Sequence, residues 1–248
     1  MGPHVPAGVQ KRELGLAAEF SPRRPALRYA VPMRLYGYWR STCSWRVRIA
    51  LSYKGIAYEY VPVHLVRGGG EQHRDEFRAR NPMSHVPVLE LELDGRPRHL
   101  AESMAILELL EERVPEPSLL PRDPFLRARA RQLASVVVSG IQPLQNTKVQ
   151  GWVRDQLGAD ERAWCRHWVI PGLEALETLT RETAGTFSVG DEPSFADVCL
   201  VPQLHFSRRF GVDVEAYPTL RAIERACSAL PAFEQAHADR QPDAEPGK

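Results

Sequence analysis

A short apolar strand that turns directly into a helix is the feature that most restricts the fold of this chain. Leu35, Tyr36, Gly37 and Tyr38 read as the strand, and Ser41, Thr42 and Cys43 as a tight turn. An amphipathic helix follows at once, with Val47, Ile49, Ala50 and Leu51 on its buried side. The turn therefore lies at a helix N-terminus, where backbone N–H groups without helical partners and the positive end of the helix dipole favour an anion. A thiolate is such an anion. Position 46 is arginine, so the turn cannot close a C-x-x-C disulfide and suits a thiolate brought in by a ligand.

The pattern onwards is one of alternation. A strand at 34–38 leads to a helix at 43–54, closed by Gly55 where a left-handed cap is expected. A strand at 58–63 follows, then a glycine-rich loop at 67–72, which carries no G-x-x-x-x-G-K-[ST] phosphate motif. A short helix is expected at 74–80, ending before Asn81-Pro82, then a strand at 88–93, an Asp94-Gly95 hairpin turn, a short strand at 98–100 and a helix at 103–113. The order β-α-β-α-β-β-α is that of a thioredoxin-like domain, expected over 33–114. Four prolines between 115 and 124 mark a linker. Beyond it everything is helical, with periodic segments at about 123–150, 160–183, 195–209 and 217–230, forming an all-α domain over 125–240. Ser194 and Asp197 sit as N-cap and third helical residue, a helix-start device and not a catalytic pair.

Both ends are set apart. Residues 1–32 hold Lys11, Arg12, Arg23, Arg24 and Arg28 against Glu13 and Glu19, with no strong period. They are expected to be a disordered extension, with a transit peptide as the alternative. The polar tail, 241–248, is expected to fray.

Composition narrows the function. The net charge is +1, from 32 basic and 31 acidic residues, which gives no footprint for nucleic acid or a membrane surface. No apolar run approaches the roughly 18 residues that span a bilayer. The four cysteines, 43, 165, 199 and 227, are scattered and fit no metal-binding spacing, so a reducing cytoplasm is the expected compartment.

The active turn, Ser41-Thr42-Cys43-Ser44-Trp45-Arg46-Val47-Arg48-Ile49-Ala50-Leu51, resembles the S-S-C-x-W-R-V-R-I-A-L signature of zeta-class glutathione transferases. The resemblance runs from Met33 to about Pro242. It includes Asn81-Pro82-Met83 with Val86-Pro87, Leu119-Leu120-Pro121, Gly140-Ile141-Gln142-Pro143-Leu144-Gln145-Asn146, Gly190-Asp191-Glu192, Leu200-Val201-Pro202-Gln203 and Arg240-Gln241-Pro242-Asp243. Glutathione transferases in general share the architecture but not the S-x-C turn or the G-I-Q-P-L-Q-N segment.

The resemblance implies glutathione as cofactor, a cis-proline at Pro87 and a homodimer. It makes Ser41 the hydroxyl that activates the glutathione thiol, while Cys43 lines the pocket and tunes binding. Gln72, Val86, Pro87, Glu102 and Ser103 would contact the tripeptide, with Ser103 taking the γ-glutamyl carboxylate. Thr42 would lie beside the thiol, and Gln142, Asn146, Thr147 and Lys148 would border the site from the helical domain. Thr42 and Glu102 depart from the usual serine and glutamine. Arg40 and Arg209 match arginines that would hold substrate or enolate charge; Arg208 has the weaker claim. Arg46 and Arg48 would pack as structural stems, and Trp39 and Trp45 as core or pocket wall. The implied activity is cis–trans isomerisation, foremost of maleylacetoacetate in tyrosine and homogentisate breakdown. The alternatives are maleylpyruvate, glutathione-dependent dehalogenation of α-haloacids, and a non-catalytic binding role.

Overall fold

The computed structural model describes residues 33–245, so the expectations for 1–32 and for the last three residues lie outside it. The first unit is a mixed sheet of four strands, β1 (Arg34–Gly37), β2 (Glu59–Pro62), β3 (Val88–Leu93) and β4 (Arg96–Ala101), in the order β2-β1-β3-β4. β1 pairs parallel with β2 and antiparallel with β3, and β3 and β4 form a hairpin. Its two turn residues, Asp94 (φ 54°) and Gly95 (φ 71°), are both left-handed, as a two-residue hairpin requires. Helices α1 (Thr42–Tyr53), α2 (Asp75–Arg78) and α3 (Ser103–Arg113) complete the expected order.

α1 ends as the sequence predicts. The Ile56 N–H reaches Leu51 O and the Gly55 N–H reaches Ser52 O, with Gly55 at φ 63°. Its burial is another matter. An amphipathic helix was expected, but every residue from Ser44 to Leu51 is buried, including Arg46 and Arg48. The reason is that α1 lies between α3 and two helices of the second unit, and so has no solvent face left. Arg48 is satisfied by donating to Ala236 O, Tyr38 O and Trp39 O.

The linker is pinned. Lys54, whose side chain is fully buried, pairs with Glu111 at 2.7 Å and donates to Val114 O and Pro117 O. Leu119 and Leu120 are buried, and Leu119 O accepts the Phe195 N–H.

The second unit is helical: α4 (Pro124–Ser135), α5 (Thr147–Leu157), α6 (Glu161–Thr180), α7 (Phe195–Arg208), α8 (Pro218–Ser228) and α9 (Pro231–Gln235). The periodic segment at 123–150 is two helices and not one. A π-helical turn at Val136–Ile141 follows α4, the chain leaves the helix at 142–146, and the Asn146 side chain caps α5 by accepting the Lys148 N–H. Pro143 has no N–H to continue the ladder, so the break falls there. α6 packs close to that turn: a Cβ added at Gly172 would lie 2.5 Å from Ile141 Cδ1.

At the start of α7 the fully buried Asp197 accepts from the Ser194 N–H, the Ser194 hydroxyl and the Ser188 N–H. Burial pushes its carboxyl up against those hydrogen bonds. The tail does not fray where it is described: residues 241–245 return to the first unit, held by Asp243 and Glu245.

Candidate active site

The turn before α1 is fixed by local hydrogen bonds. Ser41 is the N-cap, extended at φ −66° and ψ 116°, and its hydroxyl oxygen accepts the Ser44 N–H at 3.2 Å. Its own N–H donates to Tyr38 O at 3.0 Å. The Thr42 and Cys43 N–H groups have no partner among the described residues, so two donors and the helix dipole converge on one point. Because the Ser41 oxygen is engaged as acceptor, its proton remains free to donate to an anion at that point.

Beyond the turn lies a cavity of about 230 Å³. Arg40, Ser41 and Thr42 line it from the first unit, and Gln142, Asn146, Thr147 and Arg209 from the second. The Arg40 guanidinium lies 5.1 Å from the Trp39 ring and that of Arg209 5.5 Å from Phe206. Neither has a carboxylate partner among the described residues. Arg209 is held below the usual arginine value, first by burial of its guanidinium and then by the like charge of Arg40. Arg208, in contrast, is spent on a two-pronged pair with Glu224 at 2.7 and 2.8 Å. Of the two adjacent arginines, 209 lines the cavity and 208 does not.

Cys43 is half-buried, while the other three cysteines are buried. Burial pushes the Cys165 and Cys199 thiols up to about 11 and holds Cys227 above its ordinary value.

The other expected site residues are not on the lining of this cavity, Cys43 included, although it was expected to line the pocket. The Val86–Pro87 bond is cis, and the Val86 N–H and C=O have no hydrogen bond among the described residues. Glu102 holds φ 65°, a strained value for a residue with a Cβ, at the start of α3. The Ser103 hydroxyl accepts from Arg46 Nη1 at 3.2 Å. Gln72 Nε2 donates to Leu65 O, and its buried Oε1 has no partner. Lys148 is exposed and off the lining. Two helix N-termini, one open peptide and an unpartnered amide oxygen suit an extended peptide with a carboxylate at one end and a thiol further along. Glutathione fits that donor and acceptor set.

Several lining residues escaped sequence reasoning. Tyr38, Leu65, Val66, Gln145, Gln150, Glu161, Arg162, Phe206 and Phe210 all line the cavity, and Glu161, its one carboxylate, lies 3.6 Å from Arg154. Gln145 had a signal, since the Q-P-L-Q-N segment and Gln203 lie in separate motifs that meet as a buried amide pair at 2.8 and 3.0 Å. Arg162 had none, because only the packing of α6 brings it near.

A larger depression of about 360 Å³ lies between β2 and α2. Arg34 there is already paired with Glu59 and Glu90, and Arg74 with Glu71, so it lacks the unmatched charge of the first cavity.

Comparison with known proteins agrees with this geometry. Residues 35–118 match the glutathione S-transferase N-terminal domain, and residues 173–231 the C-terminal domain. The maleylacetoacetate isomerase of Rattus norvegicus is 48% identical over 209 residues, covering 84% of this chain and 94% of that protein. The maleylpyruvate isomerase of a Ralstonia species is 45% identical over 217 residues, covering 85% and 99%. The crystal structure of maleylacetoacetate isomerase from Anaeromyxobacter dehalogenans 2CP-1, with glutathione bound in its active site, superposes with a TM-score of 0.80 at 55% identity, covering 87% and 99%. Identity of this level over nearly the whole of each relative means that the chain belongs to the zeta-class glutathione transferases, the family of the maleylacetoacetate isomerases.

Proposed function

We propose that this chain is a glutathione-dependent cis–trans isomerase acting on maleylacetoacetate. One observation carries the reading: the N-terminus of α1, with Ser41 free to donate, shares one cavity with Arg40 beside it and Arg209 from the helical unit, neither of them in an ion pair among the described residues. When bound, glutathione supplies the thiolate that adds to the cis double bond beside a carbonyl and leaves after bond rotation. Ser41 and the Thr42 and Cys43 N–H groups hold negative charge at the sulfur position. Arg40 and Arg209 hold the substrate carboxylate and the charge that builds on its carbonyl oxygen. Cys43 shapes the thiol end and need not react. Gln72, Val86, Pro87, Glu102 and Ser103 carry the tripeptide, Gln142, Asn146 and Thr147 form the polar wall, and Lys148 stands at the rim.

The test is turnover of maleylacetoacetate with and without glutathione. Isomerisation is expected only with the thiol, which is not consumed; thiol-independent turnover refutes the reading. Arg209→Ala is expected to cost about 2–4 kcal/mol of transition-state stabilisation while calorimetric glutathione affinity stays unchanged. Loss of glutathione affinity instead would move Arg209 to the cofactor site. Maleylpyruvate is the second reading, favoured by the similar identity to the Ralstonia enzyme, and kcat/KM on both acids decides between them.

Assembly follows the same reading. A two-fold homodimer is expected, with the sheet unit of one chain against the helical unit of the other, and a monomer mass by light scattering would refute it. The described residues contain no helix long and apolar enough to cross a membrane. Cytoplasmic residence is the reading for a chain with four free cysteines, to be checked by cell fractionation.

A further inference from the structure

The end of the chain touches the catalytic turn across 204 positions of sequence. Asp243 Oδ2 accepts the Trp39 N–H at 3.0 Å and the Tyr60 hydroxyl at 3.3 Å. On the other side of the same peptides, the buried Arg48 donates to Trp39 O at 3.0 Å and Tyr38 O at 3.4 Å. Asp243 also acts on Arg48 as a countercharge within this group. The two residues immediately before Arg40 and Ser41 are thus clamped at three backbone atoms, one of them by the tail.

Two positions further on, Glu245 reaches the loop after β2. It pairs with Arg67 at 2.8 Å and lies 3.3 Å from His64 Nε2. His64 in turn accepts the Val66 and Arg67 N–H groups at Nδ1, and its ring packs on that of Tyr38 at 5.1 Å. Leu65 and Val66 line the same cavity as Tyr38 and Arg40. One short segment therefore holds both the turn that carries Ser41 and the loop that leads to Gln72.

We propose that residues 241–245 are a strap that sets the geometry of the active site, with Asp243 as a positioning residue acting through the Trp39 peptide. The effect on turnover rests on the isomerase reading above; the effect on the backbone does not. A packing role alone would not require a charged residue here. Asp243 Oδ1 is buried without a partner, a cost that an apolar side chain would avoid, so the acceptor at Oδ2 is the reason for the aspartate.

The experiment compares wild type, Asp243→Ala and Asp243→Asn as full chains by hydrogen exchange and by kcat at saturating glutathione. Asp243→Ala is expected to raise exchange in peptides covering residues 38–44 and 64–72 while the core of α7 keeps its protection. Its kcat is expected to fall at least tenfold per folded molecule. Asp243→Asn keeps a carbonyl acceptor and is expected to restore both. The strap is overturned if Asp243→Ala exchanges like wild type in those two segments, if faster exchange spreads evenly over the chain, or if Asp243→Asn matches Asp243→Ala. A wild-type chain without isomerase activity sinks the functional reading and leaves the exchange comparison to decide on the strap.

Discussion

Ser41 has two tasks, and replacing it separates them. As a hydrogen-bond donor to a bound thiolate it contributes a charge-assisted bond of about 1.5–3 kcal/mol. At 1.36 kcal/mol per unit, Ser41→Ala is expected to raise the pKa of bound glutathione by about 1–2 units, because only the charged form loses the bond. Turnover at neutral pH then falls roughly 10- to 100-fold and recovers in part as the pH rises. As the N-cap accepting the Ser44 N–H, Ser41 also holds the start of α1. Its loss costs about 1 kcal/mol, which lowers the melting temperature by about 2–4 °C in a chain of this size. The assay is a titration of thiolate absorbance in the binary complex beside a melting curve. Ser41→Asp is the companion variant, since aspartate caps as well as serine but repels a thiolate. It is expected to melt near wild type and yet be the less active of the two. An Ala variant equally impaired at every pH, or an active Asp variant, would refute the donor role.

Cys43→Ala is expected to shift apparent affinity for glutathione or substrate while turnover persists and still requires added thiol; an inactive variant beside an active Ser41→Ala would make Cys43 the nucleophile. His205 and His237 stand 5.2 Å apart, with their rings 5.1 and 4.7 Å from that of Trp45. Burial holds both below the ordinary imidazole value, and for His205 the charge of His237 adds to it. The unfolded chain therefore takes up protons first, so stability is full above about pH 6.5 and is lost as the pH falls below it. Melting curves of His205→Gln should be flatter over that range, and an unchanged slope would refute the assignment. Lys54→Met leaves the Glu111 carboxylate without its buried cation, at a cost of about 3–5 kcal/mol. Adding Glu111→Leu should recover much of that in a melting experiment, and a double variant worse than the single one would count against it.

What could be read from the sequence was what short-range chemistry dictates. Gly55, Asp94-Gly95 and the Ser194–Asp197 capping box each make their bonds within a few residues, and all took the expected form. The break at 142–146 was missed because Val136 to Ile141 keep an apolar rhythm through the π-helical turn, which hides the change of helical repeat. The tail was misread for a different reason. Its residues are polar and short of apolar anchors, and the bonds that hold them depend on partners some two hundred positions away. The same applies to the cavity. The turn at Ser41 announces itself locally, but the choice between Arg208 and Arg209 rests on Glu224 of α8, which no spacing rule connects to them.

The close seat of Ile141 against Gly172 restricts the order in which this chain can change. A methyl group at 172 would meet the Ile141 side chain at 2.5 Å, so Gly172→Ala forces that buried side chain to move aside while isoleucine stands opposite. If position 141 shrinks first, alanine at 172 becomes tolerable and even favourable, since α6 there carries two weak helix formers in a row, Pro171 and Gly172. The two positions are therefore coupled, and the path that shrinks 141 first costs less than its reverse. Because Ile141 directly precedes Gln142 on the cavity wall, change at position 172 of α6 is coupled to a residue next to the active site.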